Sequence, residues 1–359
     1  MTRRKDSPTC FDDYGTLLFF PSIVKAIGDI VSLCHFSPSF VATMDLVNSL
    51  NGRLLFAVPK KGRLNQATLN LLEGADIQFR RENRLDIALV KNLPIALIFL
   101  PAADIPTFVG QGRVDLGITG WDQVKEHDAG VNAAAASAGA APSQASGTES
   151  IMELEFGSCK LQVQVPEKGL YATSADLIGR TIGTSFVNLT AEYFAQLEAQ
   201  ANGSSPSGKL QTTIIELSGS VEAACALGVA DGIVDLVESG ETMRAAGLKA
   251  IDTVVESTAV LIKSRSPSNP ELVNLIASRI RGVITAQRYV LCQYNIERSG
   301  VEAATKITPG KRAPTITTLD DGWVAVSSMV EKKKIAVVMD ELTRVGAHDI
   351  LVLDIHNTR

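Results

Sequence analysis

Residues 222–243 read EAACALGVADGIVDLVESGETM, from Glu222 to Met243. A short helical run gives way to a turn at Gly228, the stretch from Gly232 to Val237 reads as a buried strand, and the Ser239-Gly240 turn opens a helix from Glu241 to Ala246. A strand feeding a Ser-Gly-x-Thr turn at a helix start brings backbone N–H groups, two hydroxyls and the positive end of the helix dipole to one point. That arrangement cradles a monophosphate. Gly240 lets the backbone approach the phosphate, Ser239 and Thr242 add side-chain donors, and Asp235 stands at the strand end where ribose hydroxyls need an acceptor. Taken alone, the turn reads more readily as an ordinary N-cap at Ser239 with Asp235 as a strand-end residue.

Outward from this stretch the texture is that of α/β sheets with crossover helices. Strands are predicted from Arg53 to Val58, Ile95 to Leu100, Val114 to Thr119, Cys159 to Val165, Thr181 to Thr184 and Thr213 to Leu217, with a helix from Leu64 to Leu72. Lys60, Lys61 and Arg63, in the loop after the first strand, suit triphosphate or pyrophosphate groups and equally suit a solvated basic loop. Arg84 is a further phosphate candidate, with an ion pair to Asp86 as its alternative. Thr184 and Ser185 end a strand and cap a helix from Asn188 to Leu197, a second helix N-terminus open to an anion. Gly117 and Gly120 allow a ligand or a hinge to come close.

The Ala/Ser/Gly tract from His127 to Ser150 has no large apolar residue beyond Val131, so it is expected to be a disordered surface insertion, and 201–208 a shorter loop of the same kind. The C-terminal part reads as strand, helix, two strands, helix, strand between Arg288 and Ile355, the βαββαβ ferredoxin-like order.

Composition narrows the partners. A chain of 359 residues, 45% hydrophobic and 20% charged, is long enough for two or three packed domains. A net charge of -5 leaves no excess of Lys and Arg for a nucleic-acid backbone. The five cysteines form no C-x-x-C pair and read as reduced core residues, and the four histidines form no metal-binding cluster, so no protein-ligated metal is expected. The apolar run from Leu17 to Cys34 is broken by Lys25 and Asp29 and has no convincing cleavage pattern after it, so neither a membrane span nor a leader is expected.

The spacing of Glu222, Gly228, Asp235, Ser239, Gly240 and Thr242 resembles the signature of ATP phosphoribosyltransferases, and its end is similar to the phosphoribosyl-pyrophosphate loop of other phosphoribosyltransferases. The likeness runs from Met44 to the C-terminus through Lys60-Lys-Gly-Arg-Leu64, Ala103-Asp-Ile-Pro106, Val114-Asp-Leu-Gly-Ile-Thr-Gly120, Leu154-Glu-Phe-Gly-Ser-Cys-Lys-Leu161, Ser218-Gly-Ser-Val-Glu222 and Arg312-Ala-Pro-Thr-Ile316, and its wording looks like the long-form fungal branch.

The resemblance implies an α/β fold: a two-lobed, periplasmic-binding-protein-like catalytic core and a C-terminal ferredoxin-like regulatory domain. The first lobe would take 44–156, completed by 250–287, the second 157–249 and the regulatory domain 288–359, with crossings near Phe156 and Ala250. Residues 1–43 carry no family motif and read as an extension before Met44.

The implied activity is cytoplasmic transfer of phosphoribosyl from phosphoribosyl pyrophosphate to N1 of ATP, the first step of L-histidine biosynthesis, with Mg2+ held mainly by substrate phosphates. The resemblance assigns catalytic support to Lys60, Lys61 and Arg63, and substrate contacts to Asp235, Ser239, Gly240, Glu241, Thr242, Arg84, Thr184, Ser185 and Glu222. It also implies a homo-oligomer, dimer or hexamer, inhibited by L-histidine bound near Asn295 and Thr315, for which a strand-end turn and cross-strand packing are equal alternatives. One departure is Pro101, where many bacterial members carry an Arg. Two competing functions are a non-catalytic small-anion binder and a base-salvage phosphoribosyltransferase that takes a free base instead of ATP.

Overall fold

The first strand, β1 (Leu54–Pro59), buries nearly every side chain, as a parallel strand covered on both faces does. The computed structural model describes residues 49–82, 85–137, 147–203 and 210–359, which from Gly52 onward form one unit. Along the chain follow α1 (Asn65–Gly74), β2 (Ile87–Leu89), β3 (Ile95–Leu100), α2 (Ile105–Gly110), β4 (Leu116–Gly120), α3 (Trp121–Ser137) and β5 (Thr148–Glu153). Next are β6 (Cys159–Pro166), β7 (Thr181–Thr184), α4 (Val187–Asn202), β8 (Thr213–Glu216), α5 (Ala223–Ala226), β9 (Gly232–Val237), α6 (Glu241–Ala245), β10 (Leu248–Ser257) and β11 (Ala259–Ser264). The rest is α7 (Pro270–Arg288), β12 (Tyr289–Glu297), α8 (Val301–Ile307), β13 (Thr315–Thr318), β14 (Trp323–Glu331), α9 (Ile335–Arg344) and β15 (His348–Asp354).

Three sheets organise these elements. The first is six-stranded, in the order β2-β3-β1-β4-β11-β5, with β1 parallel to β3 and β4. The second is five-stranded, in the order β10-β6-β9-β7-β8, with β7 parallel to β8 and β9. Each is the sheet of one lobe. Helix α7 starts at an Asn269 cap with Pro270 in its first turn, and buries Val273, Ile276, Ile280 and Val283 against the first sheet. A Cβ on Gly74 would sit 3.0 Å from Val283 Cγ1, so the end of α1 meets α7 at nearly backbone distance.

The chain passes between the sheets twice, along 154–158 and at Thr258, and the two passages are bonded to each other. Ala259 N donates to Phe156 O at 2.9 Å, as does Thr258 Oγ1 at 3.0 Å. The expected return near Ala250 is corrected by this pairing: Ala250 lies inside β10, opposite Gln164 of β6, because the antiparallel pairing of β10 with β6 continues to Ser257 opposite Cys159.

The tract from His127 to Ser150 also differs from expectation. Helix α3 continues through it to Ser137 and β5 begins at Thr148, leaving 138–146 outside the described residues. The physical reason is that alanine has the highest intrinsic helix propensity, so an Ala run propagates a helix already nucleated by the packed turns at Trp121 and Val124. Likewise α4 runs on to Asn202, ending at Gly203 with φ +62°, and 204–209 fall outside the described residues.

The C-terminal module has the sheet order β13-β14-β12-β15, all antiparallel, with α8 and α9 on one face: the ferredoxin-like topology. Val290, Cys292, Tyr294 and Ile296 alternate inward along β12, and Tyr294 shares a 2.7 Å hydrogen bond with Thr308. Among the described residues no helix is long and apolar enough to cross a membrane.

Asp115 closes the first sheet from inside. Its Oδ2 accepts from Leu55 N at 2.9 Å and its Oδ1 from Ser268 N at 2.5 Å, joining β1 to the segment before α7. Asp115→Ala should therefore lower the unfolding free energy by about 1–3 kcal/mol for each stranded N–H, read as a lower urea midpoint at unchanged m-value.

Candidate functional site

The two parallel strands β7 and β9 lie side by side and end at the same edge of the second sheet, the edge where α/β folds bind ligands. The turn after β9 is bent at Gly240, which is buried with φ +74° and leads into α6. A side chain there would be strained and would place a Cβ 2.8 Å from Arg244 Nη1. Arg244 Nη2 in turn donates to Ser239 O at 3.2 Å, and Glu241 N–H donates to Ser239 Oγ at 3.4 Å.

Two cavities flank this turn. The smaller, about 280 Å³, is lined by Glu222, Asp235, Ser239, Gly240, Glu241 and Thr242, so residues spread over one sequence signature converge on one space. The larger, about 770 Å³, lies on the other side of the same turn and is lined by Trp121, Lys160, Glu238, Arg244 and Thr258 among others, reaching the crossing between the sheets.

Asp235 is half-buried, and its Oδ1 accepts the N–H of Leu236 at 2.8 Å. Burial pushes its carboxyl above the ordinary value of 3.8, the Leu236 N–H pulls it back and the Glu222 carboxylate pushes it further up. A desolvated carboxylate of this kind is stabilised in its charged form by any further hydrogen-bond donor or cation that reaches it.

The first-lobe cations are arranged differently from one another. Lys60 Nζ bonds Asp86 Oδ2 at 2.7 Å, and the Lys60 hydrogen bond holds that carboxyl below its usual range. Asp86 is also within 3.4 Å of Arg81 Nη2, so the alternative partner suggested for Arg84 is taken by Lys60 and Arg81, while Arg84 itself lies outside the described residues. Lys61 is exposed and has no ion pair among the described residues.

Arg63 is committed to the crossing. Its Nη2 meets Asp122 Oδ1 at 3.0 Å, its Nε lies 3.6 Å from Glu238 Oε1, and its Nη1 donates to Gly157 O. Asp122 is fully buried and also accepts from Ser257 Oγ at 2.5 Å, while Ser257 Oγ receives Asp122 N–H at 2.9 Å. A Cβ on Gly120 would fall 2.2 Å from Asp122 Oδ1, so Gly120 makes room for this bridge. Gly117, by contrast, faces Ile105 and Val109 of α2 and serves packing. Beside the bridge the Cys159 thiol is pushed up to about 11, chiefly by burial.

Two expectations are corrected at the neighbouring strand end. Thr184 is fully buried, its hydroxyl donating to Val234 O at 2.7 Å and accepting Phe186 N–H at 2.9 Å, so its side chain stitches β7 to β9 and does not face a ligand. The start of α4 is not open to an outside anion either. Glu126 of α3 already accepts from Asn188 N at 2.8 Å and Leu189 N at 2.9 Å. Ser185 is exposed at this junction.

In the C-terminal module Asn295 and Thr315 share the sheet face away from the helices. Thr315 pairs with Ser327, which pairs with Gln293, and Thr317, Ala325 and Asn295 form the next row. Asn295 Nδ2 donates to Asp349 Oδ2 at 3.0 Å, and Thr315 is exposed.

Asp122, Glu126, Glu238 and Ser257 escaped sequence reasoning. Their partners lie far away in sequence, 135 residues in the case of Asp122 and Ser257, and no local pattern announces them. The one local hint was the Gly-Ile-Thr-Gly run just before Asp122, whose small residues leave space for a close side chain.

The raised Asp235 carboxyl gives a pH signature. Because the folded pKa exceeds the unfolded one, the native state binds the proton more tightly, and stability is lost as pH rises through the folded value. Asp235→Asn should raise the thermal midpoint at neutral pH, and the gain should fade as the pH falls below the native pKa, measured by calorimetry across pH.

The ATP phosphoribosyltransferase family model matches residues 101–282, and the model of that family's C-terminal domain matches residues 286–357. The ATP phosphoribosyltransferase of Yarrowia lipolytica is 61% identical over 317 residues, covering 88% of this chain and 100% of the relative. That of Schizosaccharomyces pombe is 58% identical over 321 residues with the same coverage. Among solved structures, the ATP phosphoribosyl transferase (HisG:HisZ) complex from Thermotoga maritima superposes with a TM-score of 0.48 at 23% identity, over 65% of this chain and 98% of that one. With both family models matched in order and full-length relatives at this identity, the chain belongs to the ATP phosphoribosyltransferase family.

Proposed function

We propose that the enzyme joins C1 of phosphoribosyl pyrophosphate to N1 of ATP and releases pyrophosphate, as the first step of L-histidine biosynthesis in the cytoplasm. We further propose that L-histidine inhibits it through the C-terminal module of a homo-oligomer, a dimer or hexamer. The observation that carries the catalytic reading is the convergence of Glu222, Asp235, Ser239, Gly240, Glu241 and Thr242 around one cavity at the end of a parallel strand.

In this reading the Ser239-to-Thr242 turn holds the 5′-phosphate with backbone N–H groups and hydroxyls, and Asp235 accepts from the ribose hydroxyls. The bond from C1 to the pyrophosphate oxygen breaks as the bond to the adenine nitrogen forms. Alignment and charge stabilisation supply the rate, with no protein nucleophile required. Lys61, and Lys60 once it exchanges Asp86 for a substrate oxygen, meet the polyphosphate charge, whereas Arg63 contributes by fixing the crossing between the lobes. Glu222 and Asp235 offer two carboxylates beside the loop, a donor set that suits magnesium carried on substrate phosphates. Held there, magnesium would supply charge neutralisation for the pyrophosphate leaving group.

The direct test is magnesium-dependent pyrophosphate release from ATP and phosphoribosyl pyrophosphate. Release with adenine in place of ATP would turn the reading towards base salvage, and substrate-induced thermal stabilisation without release would turn it towards a binding protein. Thr242→Val removes one donor to a charged phosphate and should weaken phosphoribosyl pyrophosphate binding by about 1.5–3 kcal/mol, seen in KM for that substrate.

The regulatory reading is supported by Asn295 and Thr315 lying on one open sheet face, with Ser327 on the strand between theirs accepting a hydrogen bond from Gln293. Regulation requires that L-histidine bind two states unequally. Thr315→Val should lose inhibition by L-histidine while keeping most of the uninhibited rate. Competition of L-histidine with substrate in the cleft would remove the module from the account.

A further inference from the structure

Helix α3 connects the lobes by a third route. Its first turns belong to the first lobe: Trp121 and Val124 pack with Ile105 and Val109, and His127 Nδ1 lies 3.3 Å from Thr107 Oγ1 of α2. The alternate face belongs to the second lobe, where Ala129 packs against that lobe's apolar core. A Cβ on Gly130 would come 2.9 Å from Asn188 Nδ2, so the two helices approach at a separation that a larger residue would prevent. Between these contacts stands Glu126, whose Oε1 accepts from Asn188 N at 2.8 Å and Asn188 Nδ2 at 2.9 Å, and whose Oε2 accepts from Leu189 N at 2.9 Å. Helix α4 has no acidic residue in its first turn and no side-chain cap of its own, so the anion at its N-terminus comes from across the cleft.

We propose that Glu126 is a positioning residue: by capping α4 from the opposite lobe it sets the spacing between the first-lobe Lys60-Lys61 loop and the second-lobe Ser239–Thr242 turn, and so the alignment of the two substrates. The strand β7 that leads into α4 is hydrogen-bonded to β9, which leads into that turn, so a displacement of α4 relative to α3 is a displacement of the turn relative to the first lobe. The two passages are bonded to each other and braced by Arg63, and the α3–α4 contact adds a further hold between the lobes away from that crossing. The inference rests on the catalytic reading of the cleft.

The test uses a matched control. Glu198 is the same chemical device inside one lobe: its carboxylate accepts from Gln211 N, Thr212 N and Thr212 Oγ1 at 2.7–3.2 Å without reaching the first lobe. Glu126→Ala and Glu198→Ala should both lower Tm. At a temperature where both are folded, only Glu126→Ala should raise KM for the two substrates, by about tenfold, the loss expected when a hydrogen bond to a charged substrate group is pulled out of register. Glu126→Gln, which keeps one acceptor oxygen, should fall between it and the wild type and serves if the alanine variant does not fold. Equal KM values in wild type, Glu126→Ala and Glu126→Gln, or the same rise in Glu198→Ala, would overturn the proposal. A wild-type chain without ATP-dependent pyrophosphate release would instead fail the catalytic reading on which it rests.

Discussion

The geometry of the cleft depends on the guanidinium of Arg63. Its three nitrogens reach a buried carboxylate at the start of α3, a carbonyl in the outgoing passage and a carboxylate just before the Ser239-Gly240 turn. A planar fork with fixed donor directions can hold three acceptors from three parts of the chain at once, which an ammonium group cannot do with the same rigidity. Asp122 is wholly buried, and a buried carboxylate is tolerable only when its charge and lone pairs are met. Arg63, Ser257 and Gln123 together meet them, so loss of any one would leave the others in an unfavourable environment.

With that point fixed, the second sheet presents its ligand edge. Strands β7, β8 and β9 all end there, but their ends do different work. Thr184 spends its hydroxyl on the neighbouring strand and on its own helix, and α4 takes its anion from Glu126. The turn after β9 lines a cavity, with the half-buried Asp235 beside it. Internal partners have closed one helix start, while the adjacent one borders an open cavity.

Strand positions and the Ser239-Gly240 turn were legible in the sequence because both are local. The run from Gly232 to Val237 and the Ser239-Gly240 turn occupy the predicted residues, since a buried strand and a positive φ at glycine leave short, strong signals. The C-terminal module was legible for the same reason, its strands alternating and its helices short. What escaped reading is non-local. Strands β10 and β11 follow one another with a single residue between them yet belong to two different sheets, and only tertiary pairing divides them at Thr258. The alanine tract lacked core residues, so its order comes from a helix begun elsewhere. Thr184 looked like a ligand-facing strand end, and its commitment to Val234 is a pairing across 50 residues.

The split construction of the first lobe also dictates an order of events during synthesis. Strand β5 has β11 as its sheet neighbour, and β11 lies between β4 and β5. While the ribosome is making the second lobe, β4 exposes one edge and β5 both, and neither can be covered until Ser264 has emerged. The second sheet, made from one continuous span of chain between Cys159 and Ser257, has no such dependence and can close first. Ser268 then reaches back 153 residues to Asp115, so the first lobe completes by threading a late strand into a waiting gap, a long-range closure of the kind that slows folding and lengthens the exposure of unpaired edges.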